Sequence, residues 1–348
     1  MNSPLLIVDN CLSSVTGVRA VAEDLAERLS ATGWPVLLTS CKPGRLSRFF
    51  DMLLSAWKWR GKYKIANVVV YSGLAFIWAE AVCWLLRRMR KPYVLTLQGG
   101  NLPGFANKWP GRASRLFRSA AVVTTPSRYL LEELSQYCER MLLIPNPVNL
   151  DNYRFQLRHR PSPRIVWLRA FHVIYNPALA PRVLSLLASE FPDIHLTMIG
   201  PDKGDGSAQA TLRTAQELKI EDRINFTGAV PKPDVPERLN QGDIFLNTTN
   251  VDNMPVSMLE AMACGLCVVS TNVGGIPYLL NHQQDALLVP PDDAEAMASA
   301  VRRILTEPDL AVALSKQGRL KTEQLDWASV IKQWESVLMD LEKSACER

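Results

Sequence analysis

Short apolar runs, each followed by a turn and a helical pattern, recur along the whole chain, and this alternation limits the fold more than any other feature. The runs lie at 4–9, 35–39, 67–71, 93–97, 121–125 and 141–144, and again at 164–168, 195–199, 224–228, 244–248, 267–271 and 286–289. Runs this short and apolar read as buried strands. The first helical pattern is explicit: Thr16 stands as a cap, Val18, Val21, Ala22, Leu25 and Leu29 recur at helical spacing, and Gly33 stops it. Asp292 and Glu295 resemble a capping box at the head of a later helix. Strands alternating with helices imply right-handed crossovers and an α/β architecture whose parallel sheets are covered on both faces.

Residues 149–163 break the rhythm, being polar and basic and closing on Pro161-Ser162-Pro163. The chain therefore reads as a first domain over 1–150, a linker over 151–163 and a second domain over 164–325. A last helical segment follows over 326–348. Its apolar stripe, Trp327, Val330, Ile331, Trp334, Leu338 and Leu341, suits packing back on the first domain. The 348 residues fit two domains of about 150 each. Ligands of open α/β sheets bind beyond the carboxyl ends of the strands, so a cleft between two such domains is the expected site.

Composition excludes several classes. Hydrophobic residues make up 47% and charged residues 21%, which is neither a disordered nor a collagen-like chain. Seven scattered cysteines, an odd number, give no disulfide framework and suit a reducing cytoplasm. Cys264-Gly-Leu-Cys267 lacks the partner pair of a metal site, and none of the four histidines stands at metal-ligand spacing, so no metal is expected. The N-terminus has no basic region before its short apolar run, and reads as a strand rather than a signal peptide. Residues 68–86 carry one charge, Glu80, but the turn Tyr71-Ser72-Gly73 divides them into a buried strand and an apolar helix. Charge is unevenly placed: residues 1–150 hold 19 Lys and Arg against 9 Asp and Glu, and the remainder 20 against 25. The basic half should face an acidic partner.

The stretch Asn247 to Gly265 carries the chemistry. It leaves a strand and opens a helix, with Asn253 or Met254 at the cap and Pro255 at the first helical position, where a missing N–H costs nothing. The N–H groups of Val256, Ser257 and Met258 would then point out of the helix start and, with its dipole, form an anion site suited to a diphosphate. Asp252 lies at the mouth and Glu260 about a turn and a half into the helix. Two carboxylates beside an anion site make sense as acceptors from hydroxyls of a sugar and a ribose. The plain alternative is a capping aspartate and a solvated glutamate.

Asp252 and Glu260, followed by Ala-Met-Ala-Cys-Gly265 and then Ser270-Thr-Asn-Val-Gly274-Gly275-Ile-Pro277, resemble the donor-binding signature of family 4 glycosyltransferases. The resemblance implies the GT-B fold, two Rossmann-like domains whose parallel sheets face each other across a cleft. It also implies metal-independent, retaining transfer of a sugar from a nucleotide-diphosphate sugar, with no other cofactor. By similarity Asp252 would hold donor-sugar hydroxyls and Glu260 the ribose. Asn253, Met254, Pro255, Val256 and Ser257 would meet the sugar and diphosphate. Arg169 would neutralise the leaving diphosphate, and Gly17 would let the first loop approach the phosphates. The chain departs from the family's pattern in four places. Asp252 replaces the usual Glu, no Lys-Gly follows Arg169, Gln98 stands where His is common, and Tyr278 where Glu is usual. Lys203 and His172 are the candidates for the missing cation.

On the acceptor side, Gln98 and Asn101 flank a glycine-rich loop. Residues 42–64 interleave Lys and Arg with Phe49, Phe50, Trp57 and Trp59, and Lys108, Arg112, Arg115 and Arg118 form a second basic cluster. Cations with aromatics suit an anionic membrane surface. The alternative for 42–64 is a sheet-covering helix with Leu46, Phe49, Leu53 and Trp57 inward. No nucleic-acid module accompanies the charge. These features together predict a cytoplasmic enzyme, peripheral on the inner membrane face, that glycosylates a glycan or lipid-linked acceptor in bacterial surface polysaccharide biosynthesis. The alternative is a non-catalytic binding subunit of a glycan-assembly complex.

Overall fold

The computed structural model describes residues 3–13 and 19–346. The cap assigned to Thr16 and the loop glycine Gly17 lie outside them. The chain forms two units, Met1–Asn146 with Ala328–Arg348, and Pro147–Trp327.

In the first unit, β1 (Leu5–Val8), β2 (Val36–Thr39), β3 (Ile65–Val70), β4 (Tyr93–Leu97), β5 (Val122–Thr125) and β6 (Met141–Leu143) make one parallel sheet in the order β2-β1-β3-β4-β5-β6. Leu5 pairs with Val36 on one side and Ile65 on the other. The order reverses after β2. Right-handed crossovers therefore place the helix Val21–Ala31 on one face, and the helices Arg45–Lys58 and Leu74–Arg88 together on the other. Leu6, Val68, Phe76, Leu95 and Phe117 belong to the core so formed. The long C-terminal helix, Trp327–Cys346, adds Val330, Trp334 and Leu338 as buried side chains, and the Ser3 N–H donates to Glu342.

The helix Arg45–Lys58 follows the inward face read for it at Leu53, which packs against the core, and departs from it at Leu46 and Trp57. Met52 and Ala56 are buried, while Leu46 and Trp57 face solvent. Residues 68–86 divide as expected into β3 and a helix, and among the described residues no helix is long and apolar enough to cross a membrane.

The second unit repeats the plan with β7 (Arg164–Leu168), β8 (His195–Ile199), β9 (Ile224–Gly228), β10 (Ile244–Asn247), β11 (Cys267–Thr271) and β12 (Leu287–Val289), in the order β12-β11-β10-β7-β8-β9. All its pairs are parallel. The core on one face gathers Trp167, Leu184, Leu246 and Val301, and that on the other Phe245, Met258, Leu259 and Met262. Residues 151–163, read above as a linker, lie against this unit. Arg158 is buried, pairs with Asp243 at 2.8 Å and donates to the Gly242 carbonyl at 2.9 Å. Its alternation of polar and basic residues hid one arginine with an interior partner. The helix Ala294–Thr306 is capped by Asp293, which accepts from the Ala296 N–H at 2.9 Å; Asp292, one residue earlier, accepts from Asn176 instead.

Candidate active site

The second sheet changes direction between β7 and β10, and the switch point of an open α/β sheet is where loops part to leave a ligand crevice. Arg169 leaves β7 there and Asp252 follows β10. Their side chains form an ion pair, with Arg169 four-fifths buried and Asp252 more so. The Arg169 guanidinium also lies 4.5 Å from the centre of the Tyr175 ring. The backbone that carries this ring is held from behind. Thr248 donates to the Tyr175 carbonyl at 2.7 Å and itself accepts from the Trp167 indole at 2.9 Å, while the Asn250 N–H donates to the Ile174 carbonyl. Burial draws the Arg169 guanidinium below its ordinary value against the pull of Tyr175 and Glu260. An arginine starts high enough to remain charged.

Glycines let these loops close on one another. A Cβ at Gly274, whose φ is +54°, would overlap the Asp252 carbonyl oxygen, and one at Gly275 that of Asn253. The Gly275 N–H instead donates to the Asp252 carbonyl at 3.1 Å. The sequence pair Gly274-Gly275 thus positions the Asp252 loop.

The helix Val256–Ala263 starts one residue later than expected, with Pro255 as its extended N-cap rather than its first helical residue. The Met258 N–H turns back to the Pro255 carbonyl at 3.2 Å. The open N–H groups are therefore those of Val256 and Ser257. Asn253, Met254 and Pro255 are buried beneath them. Glu260 is 3% exposed and pairs with Lys232, which sits on the turn Lys232–Asp234 beyond β9. Two buried polar atoms here have no partner, Arg169 Nε and Ser257 Oγ. A buried donor left unmade costs about 1–3 kcal/mol, so a site that keeps two of them awaits an acceptor.

The structure thus brings Arg169, Asp252, Ser257 and Glu260 to one end of one sheet, and adds Lys232, which sequence reasoning missed. Its only signal is a lysine held between Pro231 and Pro233 just past a strand end. Lys203 carries an exposed side chain on the loop after β8, and its N–H donates to Phe171. His172 faces Asp205 at 3.7 Å and accepts from the Ile174 N–H. Hydrogen bonds from Ser207 and the Val173 N–H hold the Asp205 carboxyl down at about 2. Tyr278 is exposed. Cys264 and Cys267 are both buried, and burial pushes each thiol up to about 12, which makes them inert.

In the first unit, Gln98 follows β4 and exchanges hydrogen bonds with Asn146, at 3.0 and 3.4 Å. Asn101 is exposed at the start of the helix Leu102–Lys108. Asp9, which the sequence marks only as the end of a strand, is buried after β1, with the Asn10 N–H at 2.7 Å and the Tyr71 hydroxyl at 3.5 Å. Burial pushes its carboxyl up to about 6.

Residues 151–321 match the family described as Glycosyl transferases group 1, and residues 15–152 match Glycosyltransferase Family 4. The chain belongs to the family 4 glycosyltransferases. This family 4 chain is 34% identical over 129 residues to the amylovoran biosynthesis glycosyltransferase AmsK of Erwinia amylovora, covering 34% of this chain and 32% of that one. It is 26% identical over 240 residues to the GDP-mannose-dependent alpha-(1-6)-phosphatidylinositol monomannoside mannosyltransferase of Mycolicibacterium smegmatis, covering 63% and 60%. The family 4 chain spans less than two thirds of the length of such curated relatives. Its fold is that of Anabaena HepE, solved in complex with UDP-glucose. The TM-score is 0.76 at 15% identity, over 97% of this chain and 100% of that one. The two parallel sheets are those of the GT-B fold.

Proposed function

We propose that the chain transfers a sugar, with retention and without a metal, from a nucleotide-diphosphate sugar to a glycan or lipid-linked acceptor. The observation that carries this reading is the pairing of two unmatched buried donors, Arg169 Nε and Ser257 Oγ, with two carboxylates at one switch point. The diphosphate takes the Arg169 guanidinium, the Ser257 hydroxyl and the N–H groups of Val256 and Ser257. Asp252, released from Arg169, accepts from hydroxyls of the donor sugar. Glu260 accepts from the ribose hydroxyls, and Lys232 is freed toward the nucleotide. Lys203 borders the same donor, and Gln98 and Asn101 serve the acceptor. As the bond from the anomeric carbon to phosphate oxygen breaks, charge grows on the diphosphate, where a fixed cation in a dry site lowers the barrier. The acceptor hydroxyl forms the new bond on the face just vacated and passes its proton to the leaving phosphate oxygen. No protein base is then required, which suits Gln98 in the place of a histidine. The kinship with polysaccharide and phosphatidylinositol-mannoside glycosyltransferases supports a glycan or lipid acceptor.

The test is a panel of UDP-, GDP- and ADP-sugars, read by thermal shift and by release of free nucleotide. One donor should raise the melting midpoint, because ligand bound to the native state stabilises it by mass action. It should also release nucleotide slowly, and Glu260→Ala should abolish that release in a folded protein. Folded wild-type protein that no donor shifts would point to a non-catalytic role. Once an acceptor is found, an inverted anomeric centre in the product would refute retention.

A further inference from the structure

The helices Arg45–Lys58 and Leu74–Arg88 lie side by side on one face of the first sheet, joined by the Phe49 and Trp78 rings at 6.3 Å. A sheet-covering helix needs one apolar stripe, and each of these has two. The inner stripes, Met52 and Ala56 on one and Phe76, Val82 and Leu86 on the other, complete the core. The outer stripes are Leu46, Phe50, Leu54 and Trp57, and Leu74, Ile77 and Trp84, each at least 44% exposed. Large apolar patches on a soluble surface mark interaction sites.

We propose that this two-helix face docks the protein on an anionic lipid bilayer. The order of its side chains argues for lipid over protein. Both helices begin at the carboxyl edge of the sheet and run back from it, so they point the same way. Leu46, Leu74 and Ile77 occupy the first part of the face, and Phe50 and Leu54 its middle. The tryptophans follow, each under a cation: Arg60 is 4.5 Å from the Trp57 ring and Arg88 5.7 Å from that of Trp84. Exposed Lys58, Lys62, Arg87 and Arg90 lie at that same far end. Aliphatic, then aromatic with cation, then cation alone is the sequence of layers in a bilayer, from hydrocarbon through interface to anionic headgroup. A protein interface would instead set its apolar centre inside a polar ring. Arg45, at the aliphatic end, has a stem long enough to snorkel.

Within residues 42–90 no acid is left to oppose this charge. Between residues 42 and 90 the acids are Asp51 and Glu80. Ser40 donates to Asp51 at 2.5 Å, and Arg112 pairs with Glu80. Arg112, grouped above with the basic cluster at 108–118, is therefore spent inside the unit. The membrane surface consists of two helices, one of which the sequence marked as the apolar helix that follows a buried strand. With the aliphatic end deepest, the carboxyl edge of the sheet, bearing Gln98 and Asn101, meets the lipid first. That last consequence rests on the glycosyltransferase reading; the docking itself does not.

Co-sedimentation of the full chain with vesicles tests it. Vesicles of phosphatidylcholine with phosphatidylglycerol should bind at least about tenfold more tightly than phosphatidylcholine alone, since each cation near an anionic surface contributes roughly fivefold. Salt should weaken the binding. Leu46→Gln combined with Leu54→Gln and Leu74→Gln should remove most of it without moving the melting midpoint or solution release of nucleotide, because the three side chains are already mostly in water. Arg60→Glu with Arg88→Glu should weaken it by a comparable factor. Equal binding of both vesicle types, or unchanged binding by the triple variant, would overturn the proposal. So would a stable dimer in light scattering that the triple variant dissociates, since a second copy would then own the face. If no donor is hydrolysed while vesicle binding persists, the docking stands and the donor assignment falls.

Discussion

At the scale of single residues, the second unit buries a carboxylate, Glu260, and neutralises it with a lysine 28 positions earlier that is about one-third exposed. Removing one partner of a fully buried pair costs about 3–5 kcal/mol; partial exposure of Lys232 brings the expected loss for Lys232→Met to about 1–3 kcal/mol. Adding Glu260→Gln should restore most of it, and strictly additive losses in chemical denaturation would show that the two do not interact. In the first unit, Asp9 stands at about 6 in the folded state, above the ordinary carboxylate value. The folded protein therefore holds that proton more tightly than the unfolded chain. The associated stability is full below about pH 4 and is lost as pH rises through 6. Asp9→Asn should match the wild type near pH 4 and exceed it by about 1–3 kcal/mol at pH 8. A gain that does not grow with pH would refute this. Asp252 and Glu260 were legible in the sequence because their spacing ties them to a helix start, whereas Arg169 entered only through the family resemblance. Lys232 and Asp9 were not, since a lysine after a turn and an aspartate after a strand declare nothing until burial is known.

At the scale of elements, the loops beyond the strands set the site, and their glycines are the test. Gly274→Ala should move the Asp252 loop, cost about 2 kcal/mol or more and lower nucleotide release at least tenfold. Gly33→Ala is the control. Its φ is +88°, but a Cβ there meets nothing, so about 1 kcal/mol of backbone strain should leave release intact. Equal effects on release would mean that the Asp252 loop is not held by close packing. Strand positions could be read within a residue or two, because apolar runs and turns punctuate the chain. The orientation of the helix Arg45–Lys58 could be read only in part. Periodicity finds an apolar stripe, but it cannot choose between two on the same helix when one serves the core and the other does not.

At the scale of the molecule, each unit has its own core, so unfolding need not be a single transition. In urea, a tightly bound donor should raise only the transition of Pro147–Trp327, by about 2.7 kcal/mol at a hundred times its Kd. Limited proteolysis identifies which unit opens, and an equal rise in both would place donor contacts in each. The chain's charge also divides by half, +10 over residues 1–150 and −5 over the rest. Near a negatively charged plane the basic half is attracted and the acidic half repelled. The basic half would be drawn to such a surface first, before any side chain touches lipid. Over a Debye length of about 8 Å that steering is a matter of arrival rate rather than holding strength. Collisions that would otherwise be spent on the wrong face become productive ones.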